Sequence, residues 1–243
     1  MNHVWDIIDE FYSSFGFELE IKLSLHDPKN SKDYLGKQED WEVAENMIRE
    51  IVKERGVDAE EQIGEAAFYG PKIDFIAKDS LGREWQVGTN QLDMNLPERF
   101  GLTYINEKGS PERVYMIHAA IMGSIERFMS IIIEHYAGAF PVWLSPVQAV
   151  ILPISQNYKK YGEKILSAIK EKDIRVEMPE ADETLGKRIR SAELQKIPYI
   201  LIVGEKEEKK KTVNVRKRHK KETVDMTLKK FLDKIIKEIN QKK

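Results

Sequence analysis

The chain has 243 residues, 41% of them hydrophobic, with five histidines, no cysteine and a formal charge of −2. That length and apolar content suffice for one large or two modest cores, while the missing cysteine excludes disulfides, thiol nucleophiles and thiolate metal ligands together. No apolar run approaches the roughly 18 residues of a membrane span, and MNHVWDIIDE has neither a basic flank nor a signal-like apolar core, so a cytoplasmic chain with no membrane partner is expected.

The small total charge hides two opposite halves. Residues 1–147 carry 14 Lys and Arg against 26 Asp and Glu, net −12, and residues 148–243 carry 25 against 15, net +10. Opposite signs point to two domains with different partners, and the basic one suits a polyanion such as nucleic acid or simply a lysine-rich solvated surface.

Val4, Ile7, Ile8, Phe11 and Tyr12 recur at helical spacing, and Phe15-Gly16 should end that helix. FELEIKLSL alternates as a half-buried strand. HDPKNSKDYLGK reads as a polar loop before a second amphipathic helix carrying Trp41, Ala44, Met47, Ile48, Ile51 and Val52. KIDFIAKD and REWQVGTNQLDM form two strands around an Asp79-Ser80-Leu81-Gly82 turn, and a third helix, about Ala119 to Tyr136, follows the ERVYMIH strand. The two prolines of GAFPVWLSPVQ and the change of charge place a boundary at Leu144 to Val147, giving domains at 1–144 and 148–243 with 145–147 as linker. Beyond it AVILPI, IRVEM, YILIVG and TVNVRKR read as strands. YKKYGEKILSAIKEK, ETLGKRIRSAELQK and LKKFLDKIIKEI read as helices. The expected fold class is therefore α/β (α+β), an antiparallel sheet with flanking helices followed by a small mixed-sheet α/β domain.

In WQVGTNQLD a period of two puts Val87, Thr89, Gln91 and Asp93 on one face and Gln86, Gly88, Asn90 and Leu92 on the other. Polar residues on both faces suit a wet cleft or an exposed edge strand. Tyr69 and Lys72 flank a Gly-Pro turn that either presents a phenol and an ammonium to a ligand or is an ordinary turn. His118 ends a strand, and Gly123, Ser124, Glu126 and Arg127 open a helix whose small residues admit a phosphate or nucleotide. The same Glu-Arg sequence also suits an internal ion pair. In the basic half Lys187, Arg188 and Arg190 on a helix, and Arg216 with Lys217 and Arg218 at a strand end, could meet phosphates. Glu205 could accept from base edges, and solvated charge is the alternative for all of them. Walker loop, Rossmann fingerprint, Gly-x-Ser-x-Gly elbow and His-Glu-x-x-His helix are all absent.

Taken in order, AFYGPKIDF, GREWQVGTNQLD, LPERF, MIHAAIMGSIERF, EHYAGAFPVWLSPVQ, KIPYILIVGEKE and VNVRKR resemble the C-terminal part of bacterial threonyl-tRNA synthetases, a class II family. The resemblance implies that GSIERF is motif 3 and that Arg127 contacts ATP. It implies that Gly123 and Ser124, with Tyr69, Lys72, Gln86 and Gln91, line the threonine and adenylate pocket, Lys72 and Arg127 acting in catalysis. His118 would be one of three protein ligands of the family's zinc, and residues 148 onward an anticodon-binding domain in which Lys187, Arg188, Arg190, Glu205 and Arg216 face tRNA. The implied reaction joins threonine to its tRNA with ATP and Mg2+, in a homodimer or with a partner chain. Motifs 1 and 2 and the other two zinc ligands are not in this sequence. Val87 stands for the family's cysteine, Asn90 for an apolar residue and Ala119 for an arginine. Two readings follow, a threonine–tRNA ligase present here as an incomplete chain that needs the missing segments, and a non-catalytic synthetase-like tRNA-binding or regulatory paralogue.

Overall fold

Helical spacing of apolar residues forms α1 (Asn2–Ser13) and α2 (Gln38–Arg55) in the computed structural model, which describes residues 1–220 and 222–242. The chain divides into two units, Met1–His135 and Tyr136–Lys243. The first also holds β1 (Leu19–Leu25), β2 (Ala59–Ile63), β3 (Lys72–Lys78), β4 (Glu84–Asp93), α3 (Asn95–Arg99), the ribbon β5 (Thr103–Ile105) and β6 (Pro111–Arg113), β7 (Met116–Ala120) and α4 (Ile125–His135). Its main sheet runs β2-β1-β3-β4-β7.

One face of this sheet is apolar. Ile21, Leu23, Leu25, Ile73, Phe75, Ala77 and Leu92 are buried, as are Trp5, Ile8 and Tyr12 of α1 and Trp41, Ala44 and Ile48 of α2. Trp5 meets Phe75 edge-on at 5.1 Å, and Phe128 of α4 packs against Phe11, Tyr12 and Phe15 at 5.0 to 6.1 Å. Burying this much aromatic surface is the main favourable term holding the helices to the sheet.

The strands pair as expected around the hairpin, with four corrections. The sheet is mixed rather than antiparallel throughout, because β2 joins β1 in parallel. Its sequence AEEQI is too polar to read as a strand, and that charge suits an edge. The third helix starts at Ile125, not Ala119, because Ala119 and Ala120 pair with Asn90 and Thr89 of β4. The ladder between β3 and β4 also slips by one residue: Phe75 opposes Gly88 and Ile76 opposes Gln86, so Val87 bulges out. The carbonyl of Val87 is met by the buried Tyr12 hydroxyl, which donates to it at 2.9 Å. The loop after β1 also winds into short 3-10 turns over Pro28–Asp33.

The second unit contains β8 (Ala149–Pro153), α5 (Lys159–Lys170), β9 (Val176–Glu177), α6 (Leu185–Leu194), β10 (Tyr199–Val203), α7 (Glu205–Lys210), β11 (Thr212–Lys217), β12 (Thr223–Thr227) and α8 (Leu228–Asn240). Its sheet order is β12-β11-β10-β8-β9, with β8 parallel to β9 and β10 and the other pairs antiparallel. One face packs Ile151, Tyr199, Leu201, Val213 and Val215 against Ile165, Ile169, Phe231 and Ile235, and the other packs Val150, Leu152 and Ile200 against Ala192 and Ile197. The mixed-sheet expectation holds, and α7 and β12 are additions: EKEEKK has no apolar stripe, and β12 is a largely exposed edge. Among the described residues no helix is long and apolar enough to cross a membrane.

The bulge depends on a satisfied carbonyl, so Tyr12→Phe should lower the stability of the first unit by about 1 to 3 kcal/mol in urea unfolding. A change within about 0.3 kcal/mol would show that Val87 finds another donor.

Candidate active site

The face opposite the apolar one is polar, and strand period brings its side chains together. On β3, Lys72 and Asp74 point the same way; across the ladder they oppose Gln91 and Thr89 of β4, and across the other ladder Ser24 and Lys22 of β1. Strict alternation would send Gln86 to the apolar side. The extra residue at Val87 returns it, and its Nε2 donates to Asp74 Oδ1 at 2.6 Å. Ser24 Oγ donates to Asp74 Oδ2 at 2.7 Å, and Lys72 pairs with the same oxygen while lying 3.3 Å from Ser24 Oγ.

The Tyr69-Gly70-Pro71-Lys72 turn is not an ordinary one. A Cβ on Gly70 would lie 1.9 Å from Leu92 O, so only glycine lets the turn press against β4. Asn95 Nδ2 holds the Tyr69 carbonyl at 2.8 Å, and the Tyr69 hydroxyl donates to Gln91 Oε1 at 2.7 Å. Partial burial and the nearby Asp93 charge raise the phenol above its usual range, which keeps it a donor at neutral pH. The His118 ring lies 5.4 Å from that of Tyr69, and its Nε2 is 2.8 Å from Asp93 Oδ2.

Arg127 reaches β4 from α4. Gly123 at φ +67° turns the chain back after β7, where a Cβ would stand 3.2 Å from Val87 O. Ser124 Oγ accepts from Arg127 N at 3.2 Å, a helix-start contact. Arg127 is exposed and turns to Gln86 rather than Glu126, its Nη1 donating to Gln86 O at 3.1 Å. Tyr69, Lys72, Gln86, Gln91 and His118 are thus gathered on one side of the sheet, with Arg127 bonded to the Gln86 backbone. Asp74 and Ser24, which tie three strands of it together, are additions; the Lys-x-Asp spacing of KIDF carried the signal for Asp74.

The candidates in the basic unit are less concerted. Lys187 is exposed and paired with Glu183, Arg190 is exposed, and Glu205 pairs with Lys209 at the start of α7. Arg188 is only 5% exposed, with Nη2 donating to Pro153 O at 2.7 Å and Nε to Glu183 O at 3.1 Å, so its guanidinium ties α6 to the end of β8. Arg216 on β11 reaches Glu193 of α6 at 2.6 Å.

Metal ligation is limited by the donor set. Among the described residues no three His, Asp or Glu side chains come together as a metal site. His118 Nε2 is engaged by Asp93, whose Oδ1 in turn accepts from Asn95 N and Leu96 N. One imidazole and a committed carboxylate do not fit a zinc centre, and no step below is assigned to zinc.

The model of the tRNA synthetase class II core domain (G, H, P, S and T) matches residues 1–136, and that of the anticodon binding domain matches residues 148–238. The chain belongs to the class II tRNA synthetase core family. It is 48% identical to the threonine–tRNA ligase of Carboxydothermus hydrogenoformans over 99% of this chain and 37% of that protein. With the enzyme of Clostridioides difficile the values are 49%, 98% and 37%. The RNA binding domain of threonyl-tRNA synthetase from Cryptosporidium parvum superposes with a TM-score of 0.90 at 35% identity, over 97% of this chain and 58% of that structure. The resemblance read from the sequence is therefore borne out, and the chain spans a little over a third of the curated relatives, 37% of each of these two.

Of the three departures from the family pattern, Asn90 and Ala119 lie off the polar face. Val87 is buried at 2% exposure, Asn90 is fully buried with Nδ2 on Met1 O at 3.0 Å, and Ala119 alternates away from His118. With a single imidazole on offer, zinc-loaded protein should lose its metal on dialysis, as read by atomic absorption. One ion retained per chain would reveal a donor set beyond these residues.

Proposed function

We propose that this chain supplies the motif 3 side of the amino-acid activation site and the anticodon-binding domain of a threonine–tRNA ligase. The observation that carries the reading is the convergence of Tyr69, Lys72, Gln86 and Gln91 on one sheet face, with Arg127 held at the Gln86 carbonyl, in a chain alike to such ligases along its whole length. In the proposed reaction a threonine carboxylate oxygen attacks the α-phosphorus of ATP, pyrophosphate leaves, and a terminal ribose hydroxyl of threonine tRNA then displaces AMP from the acyl carbon. Lys72 and Arg127 would offset charge on the phosphates, and the glutamines and Tyr69 would orient threonine and adenylate. Magnesium would arrive with ATP; Asp74 and Asp93 are committed to protein donors, so no step is assigned to it.

The basic unit supports tRNA as the second substrate, with Lys187 and Arg190 exposed on α6 and Arg216 and Glu205 on neighbouring elements. Arg188 would act from within, holding α6 in place. We place the protein in the cytoplasm, as a homodimer or with a partner chain. The ligase reading is favoured over a non-catalytic paralogue because Asn90 and Ala119 lie off the polar face and Val87 is buried at the bulge.

Combined with the segments that carry motifs 1 and 2, the chain should exchange pyrophosphate into ATP in the presence of threonine but not valine, and alone it should not. Arg127→Ala should lower that rate about 100-fold or more. Exchange indifferent to threonine, alongside equal affinity for threonine tRNA and a noncognate tRNA at one salt concentration, would leave only generic electrostatic binding.

A further inference from the structure

Resting on the reading of this face as an amino-acid and adenylate pocket, we propose that Asp74 is a positioning residue that sets the pocket's hydrogen-bond polarity. Asp74 is 4% exposed in the middle of β3, and its two oxygens divide their work. Oδ2 takes Ser24 Oγ at 2.7 Å and the Lys72 ammonium, and Oδ1 takes Gln86 Nε2 at 2.6 Å. A carboxylate only accepts. The Gln86 amide must therefore turn its NH2 inward, and its Oε1, on an exposed side chain, faces outward as an acceptor.

Gln91 is held the opposite way. Its Oε1 is occupied by the Tyr69 hydroxyl at 2.7 Å, which leaves its NH2 to donate. Lys72 lies directly across the ladder from Gln91, so donor and cation stand together while the acceptor stands further along β4. This pattern fits a ligand with an ammonium or hydroxyl on one side and a carboxylate or phosphate on the other. A free glutamine can rotate its amide and accept either polarity; Asp74 removes that choice for Gln86.

The test alters polarity at constant size. In Asp74→Asn, the orientation that keeps Ser24 and Lys72 bonded aims the introduced NH2 at Gln86 and forces that amide to rotate. Combining Asp74→Asn with Gln86→Glu restores an outward acceptor, because the introduced carboxylate accepts from the introduced amide and turns its other oxygen out. Side-chain 15N spectra of the wild-type chain should show a Gln86 NH2 with one proton shifted downfield and slow to exchange, and Asp74→Asn should lose both features. Threonine affinity, read by titrating the same spectra, should fall on the order of tenfold in the single variant and return to within about threefold in the double variant. If Asp74→Asn fails to fold, Gln86→Glu alone, at an exposed position, sets two carboxylates face to face. Its threonine affinity should be weak at neutral pH and recover as pH falls and a proton bridges the pair, since like charge raises a carboxyl pKa. Unchanged Gln86 signals in Asp74→Asn, a double variant no better than the single ones, or a pH-independent Gln86→Glu would overturn the proposal. A wild-type chain that ignores threonine while Gln86 still reports its bond to Asp74 would sink the threonine pocket and leave the positioning intact.

Discussion

A single extra residue in β4 decides which side chains of this protein can act together. β-sheet side chains alternate with a period of two, so a polar pocket on one face of β4 should exclude every second residue. The bulge at Val87 breaks that rule once: below it Gln91 and Thr89 share the polar face, and above it Gln86 rejoins them. The cost of a bulge is an interrupted ladder. Here the interruption is compensated by the phenol of Tyr12 on the Val87 carbonyl, and Gly123 passes close to the same atom. Core and polar face therefore meet at one peptide group.

The run MIHAAIMGSIERF shows the same division of labour along a helix. Phe128 belongs to the aromatic core with Phe11, Tyr12 and Phe15, whereas Arg127, one residue earlier, leans across to the Gln86 carbonyl. Burial of Phe128 fixes the rotation of α4, and that rotation delivers the guanidinium to the sheet. A candidate site cation is thereby positioned by hydrophobic packing. Asp74 does the corresponding work within the sheet, converting three separate donors on β1, β3 and β4 into one arrangement.

Most elements were legible from periodicity because their apolar faces are strong: α1, α2, β1, β3 and the second unit's alternation of strand and helix all follow from it. The misses share a cause. β2, α7 and β12 are polar segments whose structure comes from neighbours, not from an apolar stripe of their own. Ala119 and Ala120 favour helix locally, and pairing with β4 overrides them. The candidate site residues were named by resemblance and by side-chain chemistry, and the resemblance alone grouped them. Alternation alone set Gln86 and Gln91 on opposite faces, and nothing in WQVGTNQLD announces that Val87 is the residue that slips. Arg188 was read as facing tRNA, with solvated charge as the alternative, while the structure buries it against Pro153 O.

If the bulged face is the pocket, a non-hydrolysable threonyl-adenylate analogue added to isotope-labelled protein should shift the NMR signals of Tyr69, Lys72, Gln86, Gln91 and Arg127 together. Shifts confined to Asn90 and Ala119 on the opposite side of the sheet, or no shifts in the first unit at saturating analogue, would contradict the account.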